Sequence, residues 1–184
     1  MIDIFCYAGG TCGDLITALI DDQGLSFRSK AVMFDLERMQ LKKPHTFNSD
    51  VEKDQYITNM AVKYRSIPSH DLDYHVRSKH AMIGITVQDT DTALWAAERF
   101  KQLHRPHVWL EMQTACGANS VGDYAQIMID FSNQLQQHTD RTVALESIRA
   151  GTVLDQLSQL TTLSPTSKNF YQNWLDLQRG TFIT

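Results

Sequence analysis

The chain is poor in the features that mark several large protein classes. It has three cysteines in 184 residues, Cys6, Cys12 and Cys116. An odd and sparse set of this kind is no disulfide framework and reads as reduced thiols of a cytoplasmic protein. Basic residues are in deficit: Lys and Arg total 17 against 21 Asp and Glu, a formal net charge of −4. No excess of cations exists to neutralise a phosphate backbone, which argues against nucleic acid as a partner. No apolar run approaches the ~18 residues of a membrane span, so no membrane partner is expected. The opening Met-Ile-Asp-Ile-Phe has no basic segment, so no signal peptide is expected. Four prolines and nine glycines are scattered rather than clustered, leaving no linker. With 42% hydrophobic residues the chain can bury a core, and one domain over 1–184 is expected.

What is present alternates between strand and helix patterns. Residues 2–7 are apolar and rich in strand formers. Ala8-Gly9-Gly10-Thr11-Cys12-Gly13 is a Gly-rich turn, and Asp14–Ile20 carries a helical apolar stripe at Leu15, Ile16, Leu19 and Ile20. Residues 31–36 fit a short strand or a helix start equally. Ser49 and Glu52 form a capping box opening a helix to about Tyr64. Ser66-Ile67, before Pro68, is biased toward extended backbone. Ala81–Val87 is a continuous apolar run suited to a central parallel strand. Asp89-Thr90-Asp91 supplies an N-cap and first-turn acids for a helix over Thr92–Leu103, which Arg105-Pro106 ends. Further helices are expected over Ser120–Gln137, Val153–Leu160 and Asn169–Gln178. The alternation predicts an α/β fold with a parallel sheet flanked by helices on both faces.

Three groups of residues could carry chemistry. Gly9, Gly10, Thr11, Cys12 and Gly13 lie between a strand and a helix, where backbone amides can approach an anion. The same glycines would equally serve a tight turn, and Asp14-Leu15 stands where a Walker loop has Lys-Ser/Thr. His70, just after a strand, could act as a general base or be a surface histidine. His70, His75, His80, His104 and His107 form the histidine set, but no cysteine or carboxylate completes zinc spacing, so no metal is expected. Arg99, Arg105 and Arg141 could hold an anionic ligand or pair on the surface. Trp95, Phe100, Trp109 and Trp174 read as core or interface aromatics.

In order, these pieces resemble the P-loop sulfotransferase family. Tyr7-Ala8-Gly9-Gly10-Thr11-Cys12-Gly13-Asp14-Leu15 stands at the phosphosulfate loop, Pro68-Ser69-His70 at the segment with the catalytic histidine, and Ile83–Val87 with Gln88–Thr92 at the strand leading into Arg-Asn-Pro-x-Asp. Leu145-Glu146-Ser147-Ile148, ahead of two helices and Trp174, stands at the family's Tyr-Glu-Asp-Leu region. The resemblance implies a three-layer P-loop architecture. It implies 3′-phosphoadenosine-5′-phosphosulfate as donor, loop residues 9–13 as its cradle, His70 as base, and a small-molecule or protein hydroxyl as acceptor. Three donor ligands of the family pattern are replaced: Gly9 stands for the loop lysine, Gln88 for the arginine at the 3′-phosphate, and Ala96 for the serine that shares it.

Two functions follow from different classes. One is a small sulfotransferase-like transferase using the loop and His70. The other is a non-catalytic interaction or structural protein that keeps the fold without its ligands, a type whose compactness suits a viral or mobile-element origin. A nucleotide-dependent kinase is disfavoured, since the Lys-Ser/Thr pair and the magnesium residues are absent.

Overall fold

A computed structural model describes residues 3–20, 49–63, 65–103, 106–167, 169, 171 and 172. The 31–36 segment, Trp174, and most of the helix expected over 169–178 lie outside the described residues.

The first strand, β1 (Asp3–Cys6), gives way to the Gly-rich turn and then helix α1 (Gly13–Ile20). Helix α2 (Asp50–Lys63) starts at the expected capping box, where Ser49 Oγ accepts from the Glu52 amide at 3.3 Å. Strand β2 (Ser66–Ser69) and the short helix α3 (Leu72–Arg77) follow. Strand β3 (Met82–Thr86) is buried at every position, as its unbroken apolar run requires. Helix α4 (Thr90–Leu103) begins two residues before its expected start, with Asp89 Oδ2 accepting from the Thr92 amide at 2.8 Å. Helix α5 (Pro106–Cys116), helix α6 (Val121–Gln136), strand β4 (Thr142–Ala144), helix α7 (Leu145–Ala150) and helix α8 (Val153–Leu160) complete the order.

The four strands form one all-parallel sheet in the order β2-β1-β3-β4. Side-chain alternation sorts its two faces. Phe5, Ile83, Ile85 and Val143 pack with Ile16 and Leu19 of α1 and with Val153 and Leu157 of α8. Ile4, Cys6, Ile67 and Met82 pack with Leu72, with Leu135 of α6, and with Tyr56 and Ile57 of α2. The sheet is therefore covered by helices on both sides, as parallel sheets are. Gly84 lets α6 lie close to β3, since a Cβ there would collide with the Leu135 side chain.

α5 and β4 depart from the sequence expectation. Pro106 opens a helix rather than only closing one: a proline at the first helical position gives up an N–H that has no partner there anyway. β4 is three residues long and only Val143 is buried, too short for a readable period. Among the described residues no helix is long and apolar enough to cross a membrane.

Candidate functional site

The parallel order places the carboxyl ends of all four strands on one edge of the sheet. The chain leaves β1 toward β2 on one side and β3 on the other, and open α/β sheets take ligands where the order reverses in this way. The Gly-rich loop sits at that reversal.

The loop begins with a tight turn. The Thr11 amide donates to the Ala8 carbonyl at 3.2 Å, and Gly10 at φ +86° supplies the positive angle that a type II turn needs at its third residue. Thr11 is fully buried and its hydroxyl also donates to the Ala8 carbonyl, at 2.7 Å. The faces of the glycines are closely covered. A Cβ on Gly9 would lie 2.7 Å from the Tyr124 hydroxyl and 3.0 Å from Met112 Cε, and one on Gly10 would lie 3.0 Å from both Met128 Cε and Phe100 Cβ. A Cβ on Gly13 would land on the Tyr7 ring. Tyr124 also donates to the Gly9 carbonyl at 3.2 Å. Packing thus demands glycine at Gly13, and backbone conformation favours it at Gly10.

Cys12 holds a left-handed backbone, φ +63°, which costs a non-glycine residue about 1–2 kcal/mol. Its sulfur accepts from Arg99 Nη1 at 3.1 Å, so α4 delivers a guanidinium to the loop that lacks a lysine. Arg99 lies 5.7 Å from the Trp95 ring and Arg149 of α7 lies 5.6 Å from the same ring, with Arg149 also donating to Thr92 Oγ1 at 3.2 Å. Arg99 is one of three arginines that the sequence marks as candidates, and Arg149 is not among them. Trp95 and Arg99 lie one helical turn apart, a spacing visible in the sequence; the arrival of Arg149 from another helix is not.

His70 lies in the bend after β2, beside β1. Tyr7 donates its amide to the Ser69 carbonyl at 3.1 Å, and His70 Nδ1 lies 2.7 Å from the Tyr7 carbonyl. A carbonyl can only accept, so Nδ1 carries the proton and Nε2 is the basic nitrogen of the neutral ring. The His70 and Tyr7 rings meet edge to face with centroids 4.5 Å apart. Tyr7 therefore touches both His70 and Gly13.

At the β3 exit, Glu146 Oε1 accepts from the amides of both Gln88 and Asp89, each at 3.0 Å. Ala96 is fully buried in the core. Asp89 is held below the usual carboxylate range, first by the Thr92 hydroxyl and then by the Thr92 amide. Of the histidine set, the structure brings His75 and His80 together, with their Nδ1 atoms 3.0 Å apart. His107 lies on α5, and His104 and Arg105 lie outside the described residues. Among the described residues no group of three or more His, Cys, Asp or Glu is placed to hold a metal ion. No protein-family model, curated protein or solved structure matches the chain.

Proposed function

We propose that the chain is a small sulfotransferase-like transferase that binds a phosphosulfate or related anion at the Gly9–Gly13 loop. The observation that carries this reading is Arg99, held at 3.1 Å from Cys12 in a strained loop at the sheet's point of reversal. Strain of this kind is retained where the surrounding structure fixes it, and it concentrates at ligand-binding positions. The guanidinium supplies the charge that the missing lysine would bring, and the amino end of α1 adds its partial positive charge. His70, with Nε2 as its basic nitrogen, would take the proton from an acceptor hydroxyl. The strand order suits a P-loop architecture, in which such a loop follows a strand with neighbours on both sides. The donor's 3′-phosphate is the weakest part of the resemblance: Gln88 and the apolar Ala96 replace its ligands, and at that end of the sheet the Glu146 carboxylate stands beside Arg149, which is already bonded to Thr92. An anion without a 3′-phosphate, such as adenosine 5′-phosphosulfate, fits these charges better.

The close packing of Tyr7, Phe100, Met112, Tyr124 and Met128 on the glycines favours a second reading, a non-catalytic interaction protein whose loop is only a turn. Calorimetric titration separates the two. Adenosine 5′-phosphosulfate, its 3′-phosphorylated form, ATP and inorganic sulfate are titrated into the wild type and Arg99→Gln. The transferase reading expects binding that Arg99→Gln weakens about tenfold, the scale of one charge-assisted hydrogen bond. It also expects His70→Ala to keep that binding while lowering any turnover about 10²–10⁴-fold. No heat with any of the four anions would leave the interaction protein as the surviving reading.

A further inference from the structure

On the face of the sheet away from α1, a second group of side chains forms a series, two hydrogen bonds and then a longer ion-pair contact, that the loop and His70 do not use. Ser69 ends β2 in register with Cys6. Its Oγ lies 2.7 Å from His75 Nε2 on α3, and His75 Nδ1 lies 3.0 Å from His80 Nδ1. His80 Nε2 lies 4.0 Å from Asp54 Oδ1 on α2. His75 is 2% exposed, while Ser69 and His80 are half-buried.

The direction of the proton chain can be worked out from its two ends. At the Asp54 end, a carboxylate favours a proton on His80 Nε2. A neutral His80 then presents Nδ1 as an acceptor, so His75 Nδ1 must donate to it. His75 Nε2 is left as an acceptor, and the hydrogen on the 2.7 Å contact comes from Ser69. At the other end, the Asp71 amide donates to Ser69 Oγ at 3.2 Å, which leaves the hydroxyl hydrogen available to His75. The carboxylate end sets the arrangement, and the serine end is compatible with it: serine to histidine, histidine to histidine, histidine to carboxylate. Burial pushes His75 down to about 4, with His80 adding to the effect, so His75 is neutral near pH 7 and able to accept.

We infer that Ser69 is an activated nucleophile for small uncharged acyl esters, with His75 as its base and His80 and Asp54 as positioning residues. Nucleophile, base and orienting group in hydrogen-bonded series are the arrangement by which a serine is activated. Ser69 Oγ attacks the ester carbonyl carbon and its proton passes to His75 Nε2. The C–O bond to the alcohol breaks, and the alcohol leaves with that proton. Water then attacks the acyl-serine, giving a proton to His75, and the acid departs as the Ser69 hydroxyl is restored. The preference for an uncharged substrate follows from the surrounding ion pairs. Among the described residues Lys53 is paired with Asp71 and Arg77 lies 3.5 Å from Asp50, so these two cations already face carboxylates. Tyr74 hydrogen-bonds to Asp54, and its ring lies 4.9 Å from that of His75, closing the group on the α3 side.

The inference does not rest on the anion reading. Its test is labelling of the full chain with a fluorophosphonate, in which Ser69 Oγ displaces fluoride from phosphorus. Mass spectrometry locates the label, and p-nitrophenyl acetate hydrolysis is followed in parallel. The expected result is a label on Ser69 whose rate falls in acid, as His75 takes a proton and can no longer accept the one from Ser69. Ser69→Ala should remove both activities while leaving sulfate titration at the loop unchanged. His80→Ala should slow labelling at least tenfold and move its acid limb to higher pH, because His75 loses a neighbouring charge. His75 faces Ser69 of β2, Asp71, Tyr74 and His80 around α3, and Lys53 of α2, so Lys53→Met with Asp71→Asn serves as the charge-neutral control. It should leave the Ser69 labelling rate within about threefold. Folding is checked by circular dichroism, and Asp54→Asn replaces His80→Ala if the latter does not fold. An unlabelled Ser69 in the folded wild type overturns the inference. So does an unchanged labelling rate in a folded His80→Ala or Asp54→Asn variant.

Discussion

Gly13 separates packing from ligand approach as the reason for a glycine in the loop. Its missing Cβ would fall on the Tyr7 ring, which is 3% exposed and cannot rotate away, because His70 lies against it and both Tyr7 backbone groups are bonded to the end of β2. Overpacking of this kind costs about 1–3 kcal/mol, so Gly13→Ala should lower stability by that amount. For a chain of this length that is about 2–4 °C of Tm per kcal/mol. Tyr7→Ala removes a buried ring and should cost about 3–5 kcal/mol alone. In the double variant the new methyl enters the space the ring vacated. The two costs should then fall short of additivity by about 1–3 kcal/mol. Urea unfolding followed by circular dichroism, with the four proteins compared in one buffer, measures the cycle. Additivity within about 0.5 kcal/mol would refute the claim that the Tyr7 ring is what demands glycine here.

Cys12→Gly should raise the melting temperature by a few degrees, since it removes about 1–2 kcal/mol of left-handed strain, and should weaken sulfate binding because Arg99 loses the sulfur that holds it. Stability should also fall as pH is lowered from about 6.5 to about 4. The unfolded His75 binds its proton near 6.5 and the folded one only near 4, so the unfolded state carries more protons across that window. The ceiling is about 3 kcal/mol, and urea midpoints of His75→Gln should be flatter over the same range. Asp71 extends the loss to lower pH: burial pushes it up, but Lys53 and the Tyr74 amide together carry it below the ordinary carboxylate value. Under native conditions an aromatic disulfide reagent should react first with exposed Cys116, then with half-buried Cys12, and with Cys6 only on unfolding, because burial pushes the Cys6 thiol up to about 12. Early reaction of Cys6 would contradict its place inside β1.

The parts of this fold legible in the sequence are those whose signal is local. Ala81–Val87 announces a central strand because burial on both faces demands an unbroken apolar run, and β3 occupies its middle. The cap at Ser49, and the one supplied from within Asp89-Thr90-Asp91, are legible because a side chain three residues from its amide is a short-range bond. β4 escapes because three residues hold no period, and α5 escapes because proline both ends and begins helices. The site divides the same way. The loop and His70 are visible as a Gly-rich turn and a histidine after a strand. The Ser69–His75–His80 chain is not, because His75 and His80 are five residues apart across the end of α3, where no helical spacing predicts contact. The two arginines meet at Trp95 only through the packing of α7 beside α4.

Tyr7 gives the loop and the histidine a common mechanical origin. Its carbonyl fixes the proton on His70 Nδ1, its amide binds the end of β2, and its ring lies under Gly13 at the start of α1. A shift of α1 large enough to admit an anion at the loop must therefore move the Tyr7 ring, and that ring is in contact with His70. The positions of the loop and of His70 are coupled through one side chain. The coupling has a cost that bears on function. A turn over Ala8–Thr11 needs no buried tyrosine before it and no cysteine in a left-handed conformation after it. Simple turn geometry accounts for Gly10 and for the Thr11 bond to Ala8, but it leaves the Tyr7–His70 contact and the strained Cys12–Arg99 contact unexplained. Those two contacts, rather than the glycines, are where a ligand-binding role for the loop has its physical support.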